Sequence, residues 1–241
     1  MLWCRPPNAG PRPTMDLNCD MGELEDAQYE AALMQYITSA NIACGGHAGD
    51  EASMERTARL AIARGVRIGA HPGYPDPAHF GRIAIPMPAA DIERTVRQQI
   101  ERLDVVVCSL GGRIVHVKPH GALYNAAVRN TEVARAIAGG VAAWDPSVTL
   151  FGLAGSAMLD VWGQMGFEVA AEAFADRRYE PDGTLRPRRF ADALITDPRE
   201  AARQALRFAR QGQVQTICVH GDTPGAVDIL KACREALLYQ S

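Results

Sequence analysis

The chain has 241 residues, with 25 basic and 28 acidic side chains, so its formal net charge is −3 at pH 7. This length suits one large domain, and the near balance of charges excludes the basic surface by which proteins bind nucleic acids or anionic membranes. No apolar stretch approaches the roughly 18 residues of a membrane span, and no secretory signal pattern is found, so we expect a cytoplasmic protein.

The first 14 residues contain four prolines and show no hydrophobic periodicity. We expect residues 1–14 to be a disordered extension and residues 15–241 to form a single domain. The six cysteines are scattered through the chain without a CxxC pair, so we expect neither a disulfide framework nor a cysteine-rich zinc site. We predict that all of them are small buried residues: Cys4, Cys19, Cys44, Cys108, Cys218 and Cys233.

From residue 15 onward the sequence repeats one unit, in which a short apolar strand is followed by a polar turn and an amphipathic helix. Strands are predicted at residues 15–19, 37–44, 66–70, 114–118, 148–153, 167–173 and 215–219. Helices are predicted at residues 27–35, 53–64, 89–110, 131–144, 156–164, 198–210 and 224–238, with Thr131 capping the fourth. Such alternation predicts an α/β fold, a TIM-like seven-stranded parallel (β/α) barrel. A doubly wound open sheet is the alternative.

Nearly every unusual polar residue lies just after a predicted strand and before the next helix. These residues are Asp20 and Glu23, His47 and Asp50, His71 and Asp76, Lys118 and His120, Asp176 and Arg177, and His220 and Asp222. In a barrel such turns meet at the C-terminal rim, where active sites are built. We therefore expect one member of each pair to lie at a common barrel mouth, namely Asp20, His47, His71, Lys118, Asp176 and His220.

The strand at residues 114–118 carries the strongest functional signal. Alternation along it places His116 and Lys118 on one face, with His120 just beyond, so an ammonium and two imidazoles share a side. The alternative is structural, with Lys118 buried and paired to a carboxylate and both histidines hydrogen-bonded in the interior. By the same parity, Asn18 and Asp20 share the inward face of the first strand.

Three of the polar turns also have a structural explanation. Asp50 is placed to cap the helix that follows it, and Asp222 is placed to cap the last helix. Asp176 is followed by Arg177 and Arg178, whose fork-shaped donors suit a carboxylate or phosphate but also suit a surface ion pair.

Imidazole and carboxylate groups are ligands of zinc and iron, so a divalent metal is a candidate cofactor. Its ligands would come from Asp20, His47, His71, His120 and His220, although no pair of them has the spacing of a known metal motif. The sequence has no G-x-x-x-x-G-K-[ST] phosphate loop, no G-x-S-x-G elbow and no G-x-G-x-x-G turn. Any nucleotide would therefore be held in another way or by another chain.

Six segments together resemble the LamB/YcsF family, which provides one component of the bacterial ATP-dependent 5-oxoprolinase. They are DLNCDMGE at 16–23, SANIACGGHAGD at 39–50, GAHPGYPD at 69–76, HVKPHGALYN at 116–125, FADRRY at 174–179 and CVHGD at 218–222. The resemblance implies a barrel of the glycoside hydrolase/deacetylase type. It also implies a component that works with two partner subunits, B and C, to open the lactam of 5-oxo-L-proline to L-glutamate, with ATP as co-substrate going to ADP and phosphate.

This chemistry suggests roles for the residues of the matching segments. Lys118 would stabilise negative charge or a phosphoryl group, and Arg177 or Arg178 would bind the substrate carboxylate. Asp20, His47 or His120 would orient or deprotonate water. The expected catalytic residues are Asp20, His47, Lys118 and His120, and the expected substrate-binding residues are Asn18, Asp50, His71, Tyr124, Asn125, Asp176, Arg177, Arg178, His220 and Asp222.

Two other functions remain open on the sequence alone. One is a metal-dependent, deacetylase-type hydrolase that acts without ATP on an N-acyl or sugar substrate. The other is a non-catalytic component that binds the lactam and turns nothing over.

Overall fold

Seven strands pair in sequence order in the computed structural model, which describes residues 15–238. They are β1 (Asp16–Met21), β2 (Ser39–Ala43), β3 (Arg67–His71), β4 (Ile114–Val117), β5 (Thr149–Leu153), β6 (Val169–Phe174) and β7 (Thr216–Cys218). Every pairing is parallel, and β7 returns to β1 with Asp16 opposite Thr216. The sheet is therefore a closed barrel, which confirms the predicted fold and excludes the open sheet. The expected extension at residues 1–14 lies outside the described residues.

The helices surround the barrel on the outside. They are α1 (Ala27–Leu33), α2 (Glu51–Arg64), α3 (Ala89–Ser109), α4 (Gly121–Arg129), α5 (Thr131–Ala142), α6 (Ala157–Gln164), α7 (Pro198–Gln211) and α8 (Ala226–Leu238). Their apolar faces pack against the strands and form the main hydrophobic core. None of the helices described here combines the length and apolar composition needed to cross a membrane.

The sequence prediction was wrong at α4, where no helix was expected over residues 121–130. The helix follows His120 directly and buries Ala122, Leu123 and Ala127 on one face. Its C-terminal neighbour Asn130, rather than Thr131, caps α5, because the Asn130 side chain accepts hydrogen bonds from the backbone N–H groups of the next turn.

Four of the predicted buried cysteines are buried in the structure: Cys19, Cys44, Cys218 and Cys233. Cys108 is exposed, which corrects the prediction for that position. It lies near the end of α3, where the helix turns its outer face to solvent. Cys4 lies outside the described residues.

The barrel interior is polar, in contrast to the shell around it. Asn18 donates to Glu172 Oε1 at 3.0 Å and to Thr216 Oγ1 at 2.6 Å, and it accepts from Asn41 at 2.8 Å. His116 contacts Asn41 Oδ1 at 2.8 Å. Buried polar groups are tolerated when they are hydrogen-bonded, so this network forms a rigid base beneath the barrel mouth.

Candidate active site

A cavity of about 430 Å³ opens at the C-terminal end of the barrel. Its wall is made by residues at or just after the C-terminal ends of β1, β3, β4, β5, β6 and β7, as expected for a (β/α) barrel. The polar and aromatic residues lining it include Asp20, His71, Lys118, His120, Tyr124, Asn125, Phe174, Arg177 and His220, and Arg82 and Arg188 reach it from loops. The six residues predicted to meet at one mouth do converge there, with Asp176 and His47 lying behind the cavity wall.

Lys118 lies at the floor of the cavity with its side chain 2% exposed. Its Nζ is 3.0 Å from Asp20 Oδ1 and 3.0 Å from Glu172 Oε1, and it donates to Cys218 Sγ at 3.0 Å. Tyr124 donates its hydroxyl to the other oxygen of Glu172 at 2.9 Å. Lys118 is therefore both a cavity-lining cation and the partner of two buried carboxylates.

The charges of this floor depend on one another. Burial alone would lower the pKa of Lys118, but the nearby Asp20, Cys218 and Glu172 raise it well above its usual value. Burial alone would raise the pKa of Asp20, but His71 and Lys118 hold it well below its usual value. The floor therefore presents an ammonium held between anionic groups.

A histidine cluster lies beside this floor. His47 Nε2 is 2.8 Å from Glu23 Oε1, His120 Nδ1 is 3.3 Å from the same oxygen, and His120 Nδ1 is 3.0 Å from His71 Nε2. The His47 and His120 rings stack with centroids 3.5 Å apart. Burial lowers the pKa of His47 to about 4 and also lowers that of His120. Burial would lower the pKa of His71 too, but the neighbouring Asp20 raises it.

On the opposite side of the mouth, Asp176 and His220 form a dyad. His220 Nδ1 is 3.0 Å from Asp176 Oδ2, and the imidazole stacks on Phe174 with centroids 5.1 Å apart. Asp176 is fully buried and also accepts from the Thr223 hydroxyl at 2.5 Å. Burial alone would raise the pKa of Asp176, but His220 and Thr223 lower it. A carboxylate that holds Nδ1–H in this way leaves Nε2 as the free basic nitrogen of the ring.

Arginines form the outer part of the cavity. Arg177 is 5% exposed and donates from Nη2 to the carbonyl of Arg186 at 2.7 Å. Its Nε has no hydrogen-bond partner among residues 15–238. Burial and the nearby Arg188 lower the pKa of Arg177 to about 10. Arg177 thus keeps its positive charge at neutral pH and lines the cavity, while its buried Nε–H has no partner among the described residues.

Four of the residues that were expected to bind substrate do not line the cavity. Asp50 is exposed and caps α2 by accepting from the Ser53 backbone N–H at 2.8 Å. Arg178 forms an outer ion pair with Glu200 at 2.9 Å. Asp222 accepts from Arg82 and Arg188, so it holds two cavity-lining arginines without lining the cavity itself. Asn18 lies below the cavity in the hydrogen-bonded interior.

Glu172, Arg82 and Arg188 were not predicted from the sequence to be site residues, and Glu23 was not among the expected catalytic or binding residues. The sequence does contain an indication that Glu172 is a site residue, because it is a lone carboxylate in the otherwise apolar strand VAAEAF. The sequence contains no such indication for Arg82 and Arg188. They lie in loops whose path over the rim depends on contacts with Asp222, which is far away in the sequence.

Fold and site together define a parallel (β/α) barrel that gathers buried ionisable side chains at its C-terminal rim, an arrangement typical of barrel enzymes. The chain belongs to the LamB/YcsF family, whose sequence pattern matches residues 15–241.

Relatives and a solved structure agree with this assignment. The chain is 48% identical over 239 residues to the A subunit of 5-oxoprolinase from Chloroflexus aggregans, covering 93% of this chain and 95% of that protein. It is 44% identical over 240 residues to the corresponding 5-oxoprolinase component of Bordetella pertussis, with 93% and 95% covered. The lactam utilization protein from Thermus thermophilus superposes with a TM-score of 0.85 at 38% identity, covering 93% of this chain and 96% of that chain.

Proposed function

We propose that this chain is the component of an ATP-dependent 5-oxoprolinase in which the lactam of 5-oxo-L-proline is opened to L-glutamate. One observation carries the proposal: the cavity brings together a buried lysine, an Asp–His dyad and a buried arginine with a free donor. These groups can, respectively, stabilise negative charge on the lactam oxygen, transfer a proton and bind the substrate carboxylate. The proposal is supported by relatives of 43 to 48% identity that are named as the A subunit of 5-oxoprolinase. Because these relatives are named as a subunit, their name also supports the proposal that this chain acts in a complex, with subunits B and C as its proposed partners.

The arginines and the floor suggest how the substrate lies. The carboxylate of 5-oxo-L-proline would accept from the guanidinium of Arg177, which lines the cavity, because a guanidinium and a carboxylate form strong charge-assisted hydrogen bonds. The lactam carbonyl would then point to Lys118 at the cavity floor. There the ammonium would stabilise the negative charge that grows on the carbonyl oxygen, or on a phosphoryl group attached to it.

The role of ATP follows from the stability of the lactam. Transfer of the γ-phosphoryl group of ATP to the carbonyl oxygen releases ADP and makes the ring carbon more electrophilic. Water then adds to this carbon, the C–N bond breaks, and the nitrogen takes a proton. A second water hydrolyses the remaining acyl phosphate to glutamate and phosphate.

Among the candidate bases, His220 fits this reaction best. Asp20 is a weak base, because His71 and Lys118 hold its pKa well below the usual value. Both nitrogens of His120 face protein groups, the Phe80 carbonyl and His71 Nε2. His47 does not line the cavity. His220 does line it, and Asp176 fixes the proton on Nδ1 so that Nε2 can accept a proton from water. The same ring would later give that proton to the departing nitrogen. His220, expected from sequence to bind substrate, is therefore proposed as the general base, with Asp176 as its positioning residue.

The substrate assignment predicts a specific effect of Arg177→Met in the complete complex. We expect KM for 5-oxo-L-proline to rise by roughly 100-fold with kcat changed little, because the carboxylate contact is made in the ground state and the transition state alike. The variant should also lose the preference of the wild-type enzyme for 5-oxo-L-proline over 2-pyrrolidone, which lacks the carboxylate. Initial rates with both substrates measure this.

Arg178→Met is the matched control, because the adjacent arginine pairs with Glu200 outside the cavity. Its kinetic constants should equal those of the wild type. If Arg177→Met leaves KM unchanged, or if both variants raise it equally, the substrate carboxylate does not bind Arg177.

A further inference from the structure

Four metal-ligand side chains from different turns converge beside the cavity floor. Glu23, His47, His71 and His120 each offer a donor atom, and these four atoms lie within 4.8 Å of one another. All three histidines are buried. The proposed function uses none of the four in a chemical step.

Backbone carbonyls fix where two of the rings carry their hydrogen. His71 Nδ1 is 2.7 Å from the carbonyl oxygen of Lys118, and His120 Nε2 is 2.9 Å from the carbonyl oxygen of Phe80. A carbonyl oxygen can only accept, so each of these nitrogens carries a hydrogen. In the neutral rings the other nitrogens, His71 Nε2 and His120 Nδ1, are left with lone pairs.

These lone pairs point at each other and at carboxylates. His71 Nε2 is 3.0 Å from His120 Nδ1 and 3.3 Å from Asp20 Oδ2, and His120 Nδ1 is 3.3 Å from Glu23 Oε1. Acceptors that face one another in a buried site repel unless a proton, which the neighbouring Asp20 favours on His71, or a metal ion lies between them.

We propose that Glu23, His47, His71 and His120 bind one divalent transition metal ion of the zinc class. Imidazole nitrogens with a carboxylate oxygen are a ligand set suited to such ions. Ligands placed tetrahedrally about 2.0 to 2.1 Å from Zn²⁺ are separated by about 3.3 Å. The Glu23 oxygen lies 2.8 Å from His47, 3.3 Å from His120 and 3.8 Å from His71, close to that value, and all four donor atoms lie within 4.8 Å of one another.

The groups around the cluster resemble those found around metal-binding histidines. Metal-bound histidines commonly donate their second nitrogen to a carbonyl, as His71 and His120 do here. Phe80, which supplies one carbonyl, is the one non-glycine residue between residues 15 and 238 with a positive φ, at 55°. Such a conformation is strained, and strained residues tend to persist where they serve a functional site. Gly81 then packs closely, because a Cβ there would lie 2.6 Å from His47 Cβ.

An ion in this cluster would border the cavity, because His71 and His120 are also part of its wall. A zinc-class ion supplies a Lewis acid when bound. Binding of the ion does not depend on the proposed substrate, so it is tested without substrate.

The test is titration of the metal-free full chain with Zn²⁺ alone by calorimetry, with Co²⁺ absorption as a report of ligand geometry. We expect about one ion per chain with a dissociation constant below about 1 μM, and a higher melting temperature in the presence of Zn²⁺. Glu23→Gln and His47→Gln should each weaken Zn²⁺ binding by roughly 100-fold or more. The melting temperature of each metal-free variant shows that it is folded.

Two histidine controls separate the cluster from other imidazoles. His79→Gln removes an exposed ring, and His116→Gln removes a buried ring in the barrel interior, and both should bind Zn²⁺ as the wild type does. The proposal is overturned if the wild-type chain binds no Zn²⁺ in this titration. Protons alone would then fill the positions between the ring nitrogens and carboxylates of the cluster. It is equally overturned if Zn²⁺ binds but Glu23→Gln and His47→Gln leave its affinity unchanged.

Discussion

Replacing His220 with alanine is expected to lower the turnover of the complete complex by about 10²- to 10⁴-fold, the range for loss of a general acid–base group. The reason is geometric. Asp176 holds Nδ1 of His220 at 3.0 Å, and the ring lies in the cavity wall against Phe174. Because the His220 side chain is only 14% exposed and its loss leaves the buried Asp176 without its imidazole partner, we also expect a lower melting temperature. Steady-state kinetics beside thermal unfolding measures both effects.

Two further variants make this test specific. Asp176→Asn should also reduce turnover strongly, since it removes the carboxylate that selects the ring tautomer. His79→Ala is the control, because His79 is an exposed histidine on a neighbouring loop. A His220→Ala enzyme that retains most of its turnover would remove His220 from the catalytic set and return the role of base to Asp20 or His120.

Replacing Lys118 with methionine is expected to lower both stability and turnover. The variant leaves Asp20 and Glu172 as buried carboxylates without their shared cation, which should cost about 3 to 5 kcal/mol of unfolding free energy. Loss of the ammonium from the cavity floor should lower turnover by about 10²- to 10³-fold. Denaturant unfolding and steady-state kinetics of the same preparation measure the two effects.

A second substitution separates the two roles of Lys118. Adding Glu172→Gln to Lys118→Met removes one of the unpaired carboxylates, so part of the lost stability should return while turnover stays low. If turnover recovers together with stability, Lys118 serves the fold alone. If Lys118→Met is as stable as the wild type, the buried ion pairs contribute nothing to the fold.

The fold could be predicted from the sequence because its signals are local. Strand length, the helix period and the polar turns each depend on a few neighbouring residues, and together they lead to a closed barrel with its site at one rim. Side-chain parity likewise placed His116 and Lys118 inside the barrel, as the structure confirms.

The partners of the site residues could not be predicted, because they are far apart in the chain. Glu172 reaches Lys118 only through barrel closure, and Asp222 meets Arg188 only through the path of a long loop. For Asp50, a helix cap and a ligand have the same sequence signature, and the capping hydrogen bond distinguishes them only in three dimensions. In the histidine cluster, His47, His71 and His120 were named from the sequence as candidate metal ligands, whereas Glu23 was not.

The proposed function is that this chain opens the lactam in a reaction that consumes ATP. Its most direct test measures glutamate and ADP together in mixtures of 5-oxo-L-proline and ATP that contain this chain, subunits B and C, or all three. We expect equal amounts of glutamate and ADP when all three are present, and no glutamate when ATP or this chain is omitted. Glutamate formed without ATP would instead indicate a metal-dependent hydrolase, and full glutamate formation by subunits B and C alone would show that this chain takes no part in the chemistry.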